Sequence, residues 1–180
     1  MRVIAGRFRR RLLKTLPGLE VRPTPDRLRE TLFNVIAPQV EGALFIDAYA
    51  GTGAVGIEAL SRGARRAIFI EKNRGALVVL RENLKSLGVE RESEVIAKPV
   101  LKALGRAPEA DIFFLDPPYP LEREYHACLT TLGEAPPALV IVQHATRFEL
   151  QTNWGALERT RMIRQGDNAL TLFKRNLVEM

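Results

Sequence analysis

The stretch DIFFLDPPYP, residues 111–120, runs four apolar residues into an aspartate, two prolines and a tyrosine. A carboxylate on a stiff proline corner beside an aromatic ring suits the orientation of an exocyclic amine on a flat base. The lone pair of such an amine is delocalised into the ring, so the nitrogen is a poor nucleophile. Acceptors on its N–H protons hold it in place and favour pyramidalisation. Asp116 supplies one acceptor, and a backbone carbonyl in the corner of Pro117 and Pro118, with its direction fixed by proline, supplies a second. Tyr119 offers a stacking face, worth about 1–3 kcal/mol for a base. Taken alone, Asp-Pro is also an ordinary turn former.

A second pattern lies upstream. Gly51, Gly53 and Gly56 in DAYAGTGAVG match G-x-G-x-x-G, and Glu71 follows Gly51 by about 20 residues. With a strand before and a helix after, this spacing marks a nucleoside-binding loop whose acid accepts ribose hydroxyls. Two ligands fit. A dinucleotide rests its pyrophosphate on the helix N-terminus, whereas S-adenosylmethionine places its amino-acid end near the same loop. Asp47, four residues before Gly51, favours an α-ammonium, directly or through water, and disfavours a pyrophosphate by like-charge repulsion. The tight turn needs no ligand of its own, and a strand-end acid such as Glu71 is often merely solvated.

The elements that position these residues alternate along the chain. Apolar runs at 43–50, 66–73, 93–98, 110–116 and 138–145 read as buried strands. Helical patterns at 53–63, 74–88 and 121–134 and a short helix near 99–105 fall between them. Residues 24–38 read as an amphipathic helix capped by Thr24, with Pro25 at its first position and Pro38 as its stop. The segment 155–176 changes to strand period around GDN, a hairpin signal. Five β-α units and a hairpin predict a doubly wound α/β fold, mostly parallel, with an antiparallel edge. Residues 1–22 read as a short basic β-hairpin extension before a single domain at 23–180.

Composition bounds the rest. The chain has 180 residues, 46% hydrophobic and 27% charged, the balance of one soluble domain. No apolar run approaches the roughly 20 residues of a membrane helix. The basic N-terminus has no signal-peptide core, and its strand-like alternation argues against a transit peptide. One cysteine, Cys128, excludes an intrachain disulfide and reads as a small buried apolar residue. Two histidines and no CxxC or HExxH spacing predict no metal site. A cytoplasmic, monomeric protein is expected. The net charge of +6 is concentrated at Arg2, Arg7, Arg9, Arg10, Arg11 and Lys14, with no acid among the first 14 residues. That block suggests a polyanion partner, although a solvated basic surface would look the same.

Together the motifs resemble class I S-adenosylmethionine-dependent methyltransferases of the amino-methylating group, which carry [DNS]-P-P-[YFW]. RPTPDRLRETLFNVI is similar to the N-terminal signature of the RsmD family, and DAYAGTGAVGIEALSRGA, IEKN, FFLDPPY and GDNALTLFKR resemble its further blocks in order. The likeness spans nearly the whole chain. It implies a seven-stranded methyltransferase fold and methylation of the exocyclic N2 of one guanine in small-subunit (16S) ribosomal RNA, naked or in the assembled subunit. It also implies that Asp47, Tyr49, Ala50, Gly51, Gly53, Glu71 and Lys72 contact S-adenosylmethionine. Asp116 to Tyr119 would form the catalytic corner. Thr24, Arg27 and Glu30 would close the site over the methionine end, where the bland reading is a cap and solvated charges. Tyr49 stands where the family usually has Phe, and Lys98 where many relatives carry an acid for the adenine amine. The N-terminal arginines would neutralise rRNA phosphates.

Three other readings compete. Asp-Pro-Pro-Tyr serves an adenine N6 in DNA or at another rRNA position equally well, and only the N-terminal signature favours guanine. An NAD-dependent oxidoreductase would use the glycine loop, but it has no evident acid–base group here and no use for the proline corner. A non-enzymatic RNA-binding module would not need either intact motif.

Overall fold

Alternation within the apolar runs settles which face of the sheet each side chain takes. In the computed structural model, which describes residues 1–17, 25–118 and 121–176, β1 (Leu44–Ala48) is buried along its whole length. Phe45 points to one core and Ile46 and Ala48 to another, the period-2 consequence of the pleat. β4 (Ile112–Leu115) repeats the arrangement, with Ile112 and Phe114 on the first face and Phe113 and Leu115 on the second. β2 (Arg66–Ile70), β3 (Ser93–Ile96) and β5 (Leu139–Ala145) join them in parallel. The antiparallel β6 (Asn153–Trp154), β7 (Leu157–Gln165) and β8 (Asn168–Arg175) complete the order β3-β2-β1-β4-β5-β8-β7-β6.

The predicted doubly wound, mostly parallel sheet with an antiparallel hairpin is present, with eight strands among the described residues rather than seven. The extra strand, Asn153–Trp154, is too short to carry a periodic signal. The count of five β-α units also needs correction. Helices α2 (Ala54–Ser61), α3 (Arg74–Leu87) and α4 (Glu122–Glu134) follow β1, β2 and β4. After β3 there are only 3₁₀ turns at Val100–Lys102 and Leu104–Glu109, interrupted by Pro108. After β5 a short loop leads straight to β6.

The leading helix, α1 (Asp26–Val40), packs Leu28, Leu32, Phe33 and Ile36 on the first face. Pro25 is its N-cap rather than its first residue, and Pro38 lies inside the last turn rather than ending it. So near the end, proline costs a single backbone bond and leaves room for two more residues. The Thr24 cap lies outside the described residues.

The N-terminal arm departs from a regular hairpin. One antiparallel bridge, Arg2 to Leu12, is its ladder among the described residues. Side chains hold it instead. The buried Glu58 of α2 accepts from the backbone N–H of Ile4 at 2.9 Å and of Ala5 at 3.0 Å. The N–H of Phe8 donates to Ser61 Oγ at 3.0 Å, and Ser61 donates to Ala5 O at 2.5 Å. Gly6 approaches Ser61 so closely that a Cβ would lie 1.9 Å from its carbonyl oxygen. Val3 and Leu13 join a core with Ile57 of α2 and Leu80 of α3. Arg29, fully buried, donates to Arg2 O at 2.6 Å and pairs with Asp26 and Glu58.

Candidate active site

A cavity of about 320 Å³ opens at the C-terminal ends of the central strands, where β1 lies between β2 and β4. Open α/β sheets bind ligands at this change of winding direction, and the volume is in the range of small-molecule pockets. Gly51, Glu71, Lys72 and Lys98 line one part, and Asp116, Pro117, Pro118 and Glu124 another. Ile70, Val100 and Leu101 add apolar wall.

Glu71 ties the glycine loop to the end of β2. One carboxylate oxygen accepts from Gly51 N–H at 2.8 Å, and the other from the N–H groups of Lys72 at 2.9 Å and Asn73 at 2.8 Å. Gly53, the N-cap of α2, has φ +89°, which side-chain-bearing residues rarely adopt. At Gly56 a Cβ would meet the Phe69 ring at 2.3 Å, so glycine is what allows α2 to lie against β2.

Of the cofactor residues expected on β1 and the glycine loop, Asp47, Ala50 and Gly53 do not line the cavity. Ala50 is buried, with its N–H bonded to Ile70 O at 3.0 Å, and Gly53 faces Leu80. Asp47 is 2% exposed and accepts from Gly56 N–H at 2.8 Å. Burial, with Glu71 nearby, raises its pKa to about 7 against the lowering effect of the Gly56 bond. A carboxylate placed before the glycine loop can serve the ligand or the loop, and here its partner is the loop. On α1, Pro25 reaches the cavity wall, while Arg27 and Glu30 are exposed and not among the lining residues. Tyr49, Gly51, Glu71 and Lys72 do line it.

The proline corner follows β4 directly. Asp116 lines the cavity, and its N–H lies 3.4 Å from Ala48 O across the end of β1. The Tyr125 hydroxyl, 3.0 Å from Gln143 O and 3.5 Å from Pro117 O, braces the corner against the end of β5. Each carbonyl oxygen has two lone pairs, so Pro117 O retains acceptor capacity. Tyr119 lies outside the described residues.

The sequence did not single out Glu124, Gln143 or Asn168, which complete the wall. Gln143 had a signal, its place near the end of the fifth strand. Glu124 had none. Tyr49, at φ +63°, donates its hydroxyl to Glu124 Oε2 and lies 3.7 Å from the sulfur of Cys128. Burial and then the Glu124 bond raise the Tyr49 pKa, and burial pushes the Cys128 thiol up to about 11. Cys128 is buried in the core, as expected.

The basic arm is partly engaged. Arg7 pairs with Glu92, Lys14 with Glu82 at 2.9 Å, and Arg11 donates to Ser86 O at 2.9 Å. Arg2, Arg9 and Arg10 are exposed and have no ion pair among the described residues. No group of histidine, cysteine and acidic residues among the described residues could hold a metal ion, and no helix there is long and apolar enough to cross a membrane.

A parallel sheet ordered 3-2-1-4-5 with an antiparallel hairpin, a glycine loop after its first strand and an aspartate–proline corner after its fourth define an S-adenosylmethionine-dependent class I methyltransferase. The sequence matches the family described as Conserved hypothetical protein 95 over residues 1–174. It is 34% identical to YlbH of Bacillus subtilis over 97% of this chain and 99% of that protein. It is 40% identical to the ribosomal RNA small subunit methyltransferase D of Haemophilus influenzae over 66% of this chain and 64% of that one. Among solved structures, Escherichia coli yhhF superposes with a TM-score of 0.85 at 33% identity, covering 97% of both chains. An RNA methyltransferase from Salinibacter ruber, in complex with S-adenosyl-L-homocysteine, shares the fold with a TM-score of 0.68 at 19% identity, over 86% of this chain and 94% of that one. The chain belongs to the Conserved hypothetical protein 95 family, which is the RsmD family.

Proposed function

We propose that this chain methylates the exocyclic N2 of a guanine in small-subunit ribosomal RNA. The observation that carries the reading is the shared cavity: the loop fastened by Glu71 and the Asp116–Pro117 corner line one volume. The name of the Haemophilus influenzae relative supplies the substrate class. S-adenosylmethionine, when bound, supplies an electrophilic sulfonium methyl.

The residues present fit that cofactor. A carboxylate has about four acceptor positions, and Glu71 uses three for backbone N–H groups, leaving one for a ribose hydroxyl. Val100, Leu101 and Ile70 offer apolar surface to an adenine ring, with Lys98 where relatives place an acid. Asp47 acts through the loop it fastens rather than by touching the α-ammonium. Pro25 brings the start of α1 to the cavity wall, and the resemblance makes Thr24 and Glu30 candidates to cover the methionine end.

Asp116 accepts an N2–H of the base and takes up the proton that the amine loses. Pro117 O is the second acceptor, and Tyr119 the stacking face. Holding the amine in line is worth much of the barrier, since positioning contributes about 7–11 kcal/mol in well-aligned reactions. The guanine must leave its stack, at a cost of a few kcal/mol that is lower in a loop. The arm at 1–22 serves as the RNA-facing appendage of the domain at 23–180, and the enzyme works as a monomer in the cytoplasm where subunits are built.

The test is methyl transfer to unmodified small subunits and to their naked rRNA, with product nucleosides separated. N2-methylguanosine is expected, and the better substrate shows whether ribosomal proteins help address the site. N6-methyladenosine, or label only in DNA, would overturn the substrate and leave the corner in place.

A further inference from the structure

Tyr49 and Asp116 leave neighbouring strands at the same level. Ala48 pairs with Leu115, and both strands end there. The Tyr49 hydroxyl holds Oε2 of Glu124, in the first turn of α4. A second carboxylate is therefore fixed on the wall that also carries Asp116 and Pro117. One acid accounts for orienting an amine. A further, partly buried carboxylate needs a donor to offset its desolvation, and Tyr49 is its one hydrogen-bond partner among the described residues. Among the described residues, the lining cations, Lys72 and Lys98, follow β2 and β3, across β1 from the corner.

We infer that Glu124 reads the target base by accepting the N1–H of a guanine whose N2 amine is held by Asp116. The inference rests on the guanine reading above and adds the residue that selects it. Guanine presents N1–H and N2–H₂ side by side on its Watson–Crick edge, the edge a flipped base offers. Two carboxylates match that row of donors. Adenine presents its N6 amine beside an N1 lone pair, so Glu124 would face an acceptor with no proton between them. A site built to hydrogen-bond a substrate N–H rejects the analogue that lacks it, because its own polar group is left unpaired. Thus a corner suited to either amine becomes selective through a residue eight positions beyond Asp116. Tyr49 is a positioning residue: it fixes Oε2 and leaves Oε1 for the base.

The test titrates enzyme loaded with S-adenosylhomocysteine with guanosine 5′-monophosphate, adenosine 5′-monophosphate and 2-aminopurine riboside 5′-monophosphate. The last keeps the N2 amine but has a lone pair at N1. Wild type is expected to prefer the guanine nucleotide over the 2-aminopurine one by on the order of ten- to a hundredfold, the range of one charge-assisted hydrogen bond. Glu124→Gln should narrow the ratio to within about threefold, since a carboxamide donates as readily as it accepts. Tyr49→Phe should narrow it partway, and carries the comparison alone if Glu124→Gln does not fold. A variant that binds the guanine nucleotide and keeps the wild-type ratio overturns the role of Glu124 only. A wild type that prefers the adenine nucleotide, or binds none of the three, overturns the guanine reading and this inference with it.

Discussion

Asp47 accepts a hydrogen bond at 2.8 Å from the N–H of Gly56, nine residues along, and the bond is buried. It joins the end of β1 to the first turn of α2 across the glycine loop, so the loop is clamped from inside the protein. Glu71 clamps it from the cavity side. The loop is thus shaped before any ligand arrives, which lowers the ordering cost of binding.

The inner clamp has a pH signature. Burial raises Asp47 from 3.8 to about 7. A folded-state pKa above the unfolded one contributes stability that is fully present below about pH 4 and is lost as pH rises toward 7. Asp47→Asn keeps an oxygen for Gly56 and removes the titration. The melting temperature of the variant should gain on wild type between pH 4 and 7, then level off, with a free-energy change on the order of a few kcal/mol. Paired thermal melts across that range check it, and a constant difference would show that Asp47 does not titrate there.

Glu58 is the clamp for the N-terminal arm. Fully buried, it serves Ile4 and Ala5 N–H, Arg62 Nε at 2.8 Å and, at 3.8 Å, Arg29. Burial lowers the Arg29 pKa against the opposing pull of Glu58 and Asp26. Removing one partner of such a group leaves the other charge buried, typically at a cost of about 3–5 kcal/mol. Glu58→Ala should lower stability by that order and speed hydrogen exchange at Ile4 and Ala5 more than in β1. Equal protection of the arm in both proteins would assign the hold to Val3 and Leu13 instead.

The central sheet could be read from the sequence because fully buried parallel strands are written as apolar runs between glycine-ended helices. The two motifs of the site could be read because strand ends place them. What could not be read came from contacts between distant turns. Tyr49 and Glu124 are 75 residues apart, and no period links them. Arg29 looks like any helical arginine, yet it shares the buried face with Leu32, Phe33 and Ile36, a position from which its burial was foreseeable. Spacing locates the Asp47 carboxylate before the glycine loop but does not show that one of its oxygens accepts from Gly56 N–H.

On the proposed reading, Asp116 serves the chemistry and not the binding of the cofactor. It lies on the cavity wall after β4, and the loop that Glu71 fastens to the end of β2 lines the same cavity. Asp116→Ala removes an acceptor for the amine and leaves the loop intact. Single-turnover methyl transfer should fall by about a hundredfold or more, the scale of a misplaced reactant. Affinity for S-adenosylhomocysteine by calorimetry should change by less than about threefold. An unchanged transfer rate would remove Asp116 from the mechanism.

The arm sorts its own charges. Arg7 and Lys14 are already paired with Glu92 and Glu82, whereas Arg2, Arg9 and Arg10 face solvent without such partners among the described residues. Phosphate contacts by three arginines should release counterions with a slope of about −0.7 each on single-stranded RNA, roughly −2 in all. The variant Arg2→Gln, Arg9→Gln, Arg10→Gln should therefore flatten the plot of log K against log salt by about 2 for a labelled rRNA fragment. Replacing Arg7 and Lys14 by glutamine should flatten it less, because an ion pair must be broken before either can meet a phosphate. The Arg10 backbone, at φ +70°, is no worse suited to glutamine than to arginine, so the comparison reports charge rather than folding. If both variants keep the wild-type slope, the rRNA phosphates are held elsewhere, and the arm serves only to cover α2 and α3.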